Sequence, residues 1–289
     1  MSKFYEKIVK GEVPTEDDWN AHLIESHADA PSMTPHAFAA FKSIEGQNSY
    51  EILAQKLKSR LDTRILDLGC GDGHLIQYVL PSLQKHATLT GVDMSEAELN
   101  IAKSKNKDPR ISFSLGTAQH LPCENASVDH VLCHMVFMLI TPLDPVISEL
   151  KRILKKGGAF SAVIGNTKNA TPTVWHEIMN SVYNPIFVEY PKLKEATFGD
   201  ARVNSEAGLQ SIFNPGSGFS SPTIYDFSII APMKPDTAWA VMKDMYFVSM
   251  LPNDKKQKVE KDLRKLVSAL SASHKTFEFP MRLFSTSKL

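Results

Sequence analysis

The stretch ILDLGCGDGHL, residues 65–75, decides which fold the surrounding chain adopts. Its first residues are almost wholly apolar, as in a strand buried at the centre of a parallel sheet. Glycines follow at positions 69, 71 and 73, where they permit a tight turn and let a ligand approach the backbone closely. In open α/β sheets, ligands bind in the crevice beyond such a strand end. The stretch therefore predicts a strand, a glycine turn and a helix that form a binding site.

Strand and helix patterns alternate after this point. Ser95 and Glu98 match a capping box that opens one helix. Asp144 and Pro145 are typical of the start of another helix, which we expect Gly157-Gly158 to end. The strands that we predict in this part are 63–69, 87–93, 110–116, 127–135 and 159–166. Strands separated mainly by helices predict an α/β protein with a doubly wound, mostly parallel sheet.

The flanking segments complete this sheet and cover it. Residues 1–60 are predicted as a helical cap, which ends in a helix over 49–61 with Ile52, Leu53, Leu57 and Leu61 on one face. Residues 169–220, rich in aromatic side chains, are predicted as a lid insertion. Residues 221–289 are predicted to supply strands at 221–230 and 275–287 and helices at 236–250 and 254–270. Since the last strand returns to the same sheet, we predict one domain over 1–289, with 61–168 as its cofactor-binding half.

Composition excludes several classes of protein. Of the 289 residues, 43% are apolar and 22% charged, and the 32 basic and 32 acidic residues balance, so no nucleic-acid partner is expected. The sequence contains no apolar run of the roughly 18–20 residues that a membrane span needs. Cys70, Cys123 and Cys133 form no CxxC pair, which favours a reducing compartment and hence the cytoplasm. WHEIM at 175–179 lacks the second histidine of a zinc helix, and we predict no metal site.

The glycine turn fits two classes of ligand. A dinucleotide site needs a third glycine at the position of His74, and it needs no acids beside the diphosphate. Asp67 and Asp72 instead suit a ligand with an ammonium or sulfonium charge. Asp93 ends the next strand and can accept both ribose hydroxyls of an adenosine, which either class requires. The acids in the turn therefore favour a cationic nucleoside.

With these residues in place, the sequence resembles the class I S-adenosylmethionine-dependent methyltransferases. The matching stretches are ILDLGCGDG, GVDMS, GTAQHLPCENASVDHVLCH and ELKRILKKGGAF, in that order, over about residues 62–166. The likeness is greatest to the small-molecule, ubiquinone-biosynthesis-type (type 11) branch. This resemblance implies a Rossmann-like methyltransferase fold with a seven-stranded sheet. It also implies S-adenosylmethionine as cofactor, a small-molecule acceptor and release of S-adenosylhomocysteine.

The resemblance also implies roles for single residues. Asp67, Gly69, Cys70 and Gly71 would cradle the amino-acid end of the cofactor, and Asp93 would hold its ribose. Three positions would read the adenine edge beneath Met94, which would pack on the ring: Thr117, Ala118 and Gln119. An Asp is more usual at the position of Thr117.

Two residues at the end of the fourth strand, Cys133 and His134, would face the cofactor and the approaching acceptor. His134 is the candidate catalytic residue, as a general base or by orienting the substrate, and its other interpretation is a structural histidine with satisfied hydrogen bonds. Methyl transfer does not itself require a base, since in-line positioning of the nucleophile supplies much of the acceleration.

Two other functions stay open at this stage. A NAD(P)-dependent Rossmann oxidoreductase would share the sheet and Asp93, and a non-catalytic relative would bind the cofactor without transferring a methyl group. The aromatic residues of 169–222 favour an apolar or aromatic acceptor. The sequence does not indicate the oligomeric state.

Overall fold

The computed structural model describes residues 3–57, 63–166, 173–196, 198–271 and 274–289. Within these residues the strands form one seven-stranded sheet in the order β3-β2-β1-β4-β5-β7-β6. Their bounds are β1 Arg64–Leu68, β2 Thr88–Asp93, β3 Ile111–Leu115, β4 Val128–His134, β5 Leu154–Gly165, β6 Thr223–Pro232 and β7 Thr276–Ser287. The first five strands pair in parallel, and β7 runs antiparallel to β5. The predicted doubly wound, mostly parallel sheet is confirmed.

Helices flank the strands along the described chain. Their bounds are α1 Lys3–Val9, α2 Glu16–Asp29, α3 Met33–Phe38, α4 Ser49–Ala54, α5 Ile76–Val79, α6 Glu96–Lys105, α7 Asp144–Ile153, α8 Val174–Glu189, α9 Glu206–Ile212, α10 Pro235–Met242, α11 Tyr246–Ser249 and α12 Asn253–Ser268. Across the described residues, none of these helices combines the length and apolar character that spanning a bilayer requires.

The chain divides into two compact units, each built from three segments. One comprises 1–48, 170–198 and 228–280, and it is mainly helical. The other comprises 49–169, 199–227 and 281–289, and it contains β1–β5. The predicted insertion at 169–220 is therefore divided between them, and its residues 169–172 and 197 lie outside the described residues. That the whole chain behaves as one domain stays a prediction.

Several helices are shorter than the apolar pattern predicts. The helix predicted at 49–61 ends at Ala54, and Leu61 lies outside the described residues. After the glycine turn, α5 gives way to a 3₁₀ turn over Leu80–Ser82, because Pro81 cannot continue the α-helical hydrogen bonds. The helix predicted at 236–250 is interrupted between α10 and α11, where Met245 takes an extended backbone conformation.

The connection between α7 and β5 differs from the prediction. Helix α7 ends at Ile153 and Leu154 already begins β5, so Gly157 and Gly158 lie inside the strand. Gly157 has φ +76°, and a Cβ on Gly158 would lie 2.9 Å from a backbone oxygen. The register between β4 and β5 shifts at this point, so the glycines form a bulge. Asp144 is the first helical residue rather than the N-cap, and its carboxylate pairs with Arg202.

A hydrophobic cluster packs against one face of the central strands. It includes Leu66 and Leu68 of β1 and Val131 and Cys133 of β4. Phe137 and Phe160 extend the cluster with ring centroids 5.1 Å apart. Because side chains alternate between the faces of a strand, residues 67, 132 and 134 are turned away from this cluster. Packing on one face thus fixes the position of Asp67 and His134 on the other.

Candidate functional site

The glycine turn between β1 and α5 has a backbone that only glycine adopts readily. Gly69 and Gly71 have φ values of +69° and +50°. A Cβ on Gly69 would lie 2.4 Å from the side chain of Val136, whereas a Cβ on Gly71 would meet nothing closer than the Glu98 carboxylate at 3.9 Å. Gly69 is therefore required by packing within the protein, and Gly71 borders open space in which a ligand can reach the backbone.

Asp93 ties the end of β2 to this turn. Its Oδ2 accepts a hydrogen bond from the Gly71 N–H at 2.8 Å, and its Oδ1 accepts one from the Ser95 N–H, also at 2.8 Å. Both bonds come from backbone N–H groups, so they fix the orientation of the carboxylate beside the turn. Asp93 therefore fits the predicted role in holding a ribose.

The bond from Ser95 to Asp93 changes the predicted capping box. Ser95 Oγ accepts the Glu98 N–H at 3.4 Å, as predicted. The return bond to the Ser95 N–H is made by Asp93 instead of by Glu98. Glu98 is buried beside Gly71. The sequence did not predict this position, because the capping pattern indicates only a helix start.

Asp67 is a buried carboxyl group with an unsatisfied oxygen. The residue is only 1% exposed, and its Oδ2 has no hydrogen-bond partner among the described residues. Burial, followed by the charges of Asp93 and Asp72, raises the pKa of Asp67 to about 8. A buried polar atom without a partner is rare in folded proteins, and it fits a group that a ligand completes.

Asp72 has a different role from the one predicted. Its Oδ2 accepts a hydrogen bond from Lys105 Nζ of α6 at 2.5 Å, and its Oδ1 accepts the His74 N–H at 3.1 Å. The side chain is 3% exposed, so the lysine compensates a buried charge. Asp72 is neutralised by a residue 33 positions away. Of the two acids predicted to meet a cationic ligand, Asp67 therefore remains.

His134 lies at the end of β4 and contacts Ser49 and Tyr50, the first two residues of α4. Its Nε2 is 2.9 Å from Ser49 Oγ, and its ring stacks on Tyr50 with centroids 3.7 Å apart. Its Nδ1 is buried and has no hydrogen-bond partner in the described part of the chain. Burial, with a smaller contribution from His74, lowers the pKa of His134 to about 3. The imidazole is therefore neutral at physiological pH and a weak base.

Tyr50 is the centre of an aromatic group that the sequence analysis did not identify. Its ring also contacts His74 edge-on at 4.7 Å and stacks near Tyr78 at 6.0 Å. Burial raises the pKa of Tyr50, and the negative charges of Asp72 and Asp67 raise it further, which places the ring near the acids of the turn. Only the position of Ser49 and Tyr50 at the start of a predicted helix was visible in the sequence.

Cys133 does not face a ligand through its side chain. The thiol is fully buried in the hydrophobic cluster, on the face of the sheet opposite to His134. The expectation that Cys133 faces the cofactor is corrected for this reason: alternation along β4 turns residues 133 and 134 to opposite faces. Cys70 is buried too, and burial raises the pKa of both thiols.

The residues predicted to read the adenine follow β2 and β3. Met94 is half-buried directly after Asp93. Thr117 is exposed and its carbonyl accepts the His120 N–H at 3.1 Å, while Ala118 packs at the edge of the hydrophobic cluster. Gln119 Nε2 donates to the Thr141 carbonyl at 3.5 Å. Their contact with an adenine stays a prediction.

These parts converge at the point where the strand order reverses. From β1 the chain proceeds to β2 and β3 on one side and later to β4 and β5 on the other, so β1 and β4 flank the switch point. Asp67 Oδ2 and His134 Nδ1, both buried and unpaired among the described residues, lie at the ends of these two strands. Switch points of this kind are ligand sites in open α/β sheets.

The sheet with its antiparallel seventh strand, the glycine turn and Asp93 define the class I, Rossmann-like methyltransferase fold. Residues 66–162 match the family model described as "Methyltransferase domain".

Curated relatives and a solved structure agree with this assignment. The "Methyltransferase GfsG" of Streptomyces halstedii is 30% identical over 37% of this chain and 41% of its own length. The "Ubiquinone/menaquinone biosynthesis C-methyltransferase UbiE" of Campylobacter jejuni is 33% identical over 34% of this chain and 42% of its own. The chain thus spans about two fifths of the length of these relatives. The YcgJ protein of Bacillus subtilis shares the fold, with a TM-score of 0.54 and 18% identity, over 83% of this chain and 97% of its own.

Proposed function

We propose that the protein transfers a methyl group from S-adenosylmethionine to a small-molecule acceptor and releases S-adenosylhomocysteine. The observation that carries the proposal is the unpaired, buried Asp67 carboxyl oxygen at the switch point of a methyltransferase domain. A cation supplied by the ligand would stabilise the ionised form of this carboxyl group, whereas a diphosphate would bring further negative charge to a site that already holds Asp67 and Asp93. This charge argument favours the methyl donor over a nicotinamide dinucleotide.

When bound, the cofactor supplies an electrophilic methyl group. Different residues of the site bind different parts of the cofactor. Asp67 and the backbone of Gly69, Cys70 and Gly71 hold the amino-acid end, and Asp93 accepts hydrogen bonds from the ribose hydroxyls. The adenine lies against the residues after β2 and β3: Met94, Thr117, Ala118 and Gln119. The fit rests on the open approach to Gly71 and on the position of the Asp93 carboxylate beside this glycine.

We assign His134 to orienting the acceptor rather than to removing a proton from it. An effective general base has a pKa near the operating pH, and the pKa of His134 is lowered to about 3. A neutral imidazole can still donate or accept a hydrogen bond through Nδ1, while Nε2 is engaged by Ser49. Positioning of the nucleophile for in-line attack is then the main contribution of the protein to the rate.

The acceptor that we propose is apolar or aromatic. In the helical unit, Tyr183, Phe187 and Phe198 each contact Phe247 and are only half-buried, so they leave aromatic surface accessible. The name of UbiE refers to quinone biosynthesis, and quinones are apolar rings. Both observations support an apolar acceptor.

The compartment that we propose is the cytoplasm. All three cysteines of the chain are free, which supports a reducing environment. The balance of 32 basic and 32 acidic residues supports a small molecule rather than a nucleic acid as partner.

Calorimetric titration with S-adenosylmethionine, S-adenosylhomocysteine and NAD tests the cofactor. We expect both adenosyl ligands to bind and NAD not to bind, and Asp67→Ala to weaken both at least about tenfold, since a charge-assisted contact is lost. The exposed Glu96→Gln serves as control. Binding of NAD alone would establish the oxidoreductase instead.

A methylation screen then tests the chemistry. With labelled donor, we expect product from at least one apolar acceptor in a panel of oxygen, nitrogen, sulfur and carbon nucleophiles. Tight cofactor binding with no product across this panel would favour a non-catalytic relative.

A further inference from the structure

The surroundings of Asp67 are unusual for a carboxylate that is to meet a cation. The residue is the last but one of the central strand β1, it is 1% exposed, and its Oδ2 makes no hydrogen bond within the described chain. An ionised carboxylate in such a place would lack both water and a counter-charge, which is costly. The ligand-free protein must therefore deal with this charge in another way.

Among the residues that the structure describes, the groups around Asp67 do not supply the missing positive charge. Asp93 on β2 and Asp72 in the turn are acids, and both raise the pKa of Asp67. Lys105 of α6 is bonded to Asp72. Tyr50 of α4, Cys70 of the turn and, from the other face of the sheet, Cys133 also interact electrostatically with Asp67, and none of them is basic. Glu98 of α6, which lies near Tyr50 and Cys70, is acidic, and His134 at the end of β4 is neutral.

We propose that Asp67 is protonated in the ligand-free protein at neutral pH and that binding of the cationic cofactor expels this proton. The carboxyl O–H bond breaks, the proton passes to the solvent, and the carboxylate remains opposite the positive charge of the ligand. This inference rests on the proposed function, because it takes the methyl donor or its product as the ligand. The site thereby couples cofactor affinity to pH.

The pKa of about 8 agrees with this geometry. Roughly nine tenths of the Asp67 side chains carry a proton at pH 7. Below pH 8, each unit by which the pH falls then weakens cofactor binding about tenfold, because the proton and the ligand compete. The α-amino group of the ligand itself titrates at about 7.7–8.0, so the effect of Asp67 is measured most cleanly below pH 7.

Calorimetry in two buffers of different ionisation enthalpy counts the protons. At pH 6.5 we expect about one proton released per S-adenosylhomocysteine bound by the wild-type protein. Glu96→Gln, which changes an exposed acid at the start of α6, should release the same number. Asp67→Asn should bind without releasing a proton. Binding by the wild-type protein without proton release overturns the inference but leaves the proposed function intact, whereas absence of binding overturns the proposed function.

Infrared difference spectroscopy gives a readout that does not depend on binding by the variant. The ligand-free wild-type protein at pH 6.5 should show the C=O stretch of a protonated carboxylic acid, and ligand should remove it. Ligand-free Asp67→Asn should lack this band, while Glu96→Gln should retain it. A wild-type spectrum without the band, or a band that persists in Asp67→Asn, would overturn the assignment.

Discussion

Asp67 and His134 lie near the C-terminal ends of neighbouring strands, and their surroundings shift their pKa values in opposite directions. Burial raises the pKa of the acid to about 8 and lowers that of the imidazole to about 3. Both groups are therefore neutral in the ligand-free protein at pH 7. The switch point thus holds two buried polar atoms that carry no charge and that have no hydrogen-bond partner in the described part of the chain.

Two of the three glycines in the turn, Gly69 and Gly71, should respond differently to the same substitution. Gly69→Ala places a Cβ 2.4 Å from Val136 and should destabilise the fold by about 2 kcal/mol or more. Gly71→Ala meets no protein atom closer than 3.9 Å, so we expect about 1–2 kcal/mol from the left-handed backbone and a larger loss of cofactor affinity. Thermal unfolding and calorimetric titration measure the two effects. Equal losses of stability with unchanged affinity in Gly71→Ala would contradict this interpretation of the turn.

The stability of the protein should depend on pH through Asp67. The unfolded chain ionises Asp67 near pH 4, whereas the folded protein keeps the proton until about pH 8. The free energy of unfolding therefore falls as the pH rises between these values. Asn does not titrate. We expect Asp67→Asn to gain about 1.4 kcal/mol relative to wild type for each pH unit in this window. Urea unfolding at pH 5, 6.5 and 8 measures the difference, and a difference independent of pH would contradict it.

Among the elements, the short helix α4 has contacts that its length does not suggest. Ser49 and Tyr50 at its start reach His134, 85 residues further along the chain. The ring of Tyr50 covers the imidazole and contributes to its burial. We therefore attribute the neutral state of His134 in part to α4.

Removing the Tyr50 ring should raise the pKa of His134. In Tyr50→Ala water reaches the imidazole, so its pKa should rise from about 3 towards its usual value of about 6.5. Tyr50→Phe keeps the stacked ring and is the matched control, with an expected change below about half a unit. NMR titration of the His134 ring resonances measures both variants. A pKa that stays low in Tyr50→Ala would assign the burial to other residues.

Element positions were easier to predict from the sequence than element ends. The strands from β1 to β7 lie where apolar runs predict them, because a run of that length buries well only in a sheet. The predicted end of α7 at Gly157-Gly158 was wrong, because a glycine pair is typical both of a helix end and of a strand bulge. The start of α6 was right, but the partner of the Ser95 N–H comes from Asp93 of the preceding strand.

For the whole molecule, the sequence predicts one domain, while the described residues form two compact units. Strands β6 and β7 each contribute residues to both units, since the unit boundaries fall at 227/228 and 280/281. Elements that continue from one unit into the other favour unfolding in one step.

Calorimetric unfolding tests the single domain. We expect one transition whose calorimetric and van't Hoff enthalpies agree. S-adenosylhomocysteine should raise the midpoint temperature of this transition without dividing it into two. Two transitions, of which the ligand moves only one, would show that the units unfold independently. The Gly69→Ala variant serves as comparison, because its clash lies within the unit that contains β1.

By itself the sequence determined the doubly wound sheet, the glycine turn, and the positions of Asp67 in the first strand and of Asp93 at the end of the second, because these depend on patterns within a few neighbouring residues. The tertiary structure alone decided that Lys105 neutralises Asp72, that Cys133 turns into the core and that Tyr50 covers His134. It also decided the protonation of Asp67. Burial and electrostatic interactions act between atoms that are close in space, and the chain brings these atoms together from 33 to 85 positions apart.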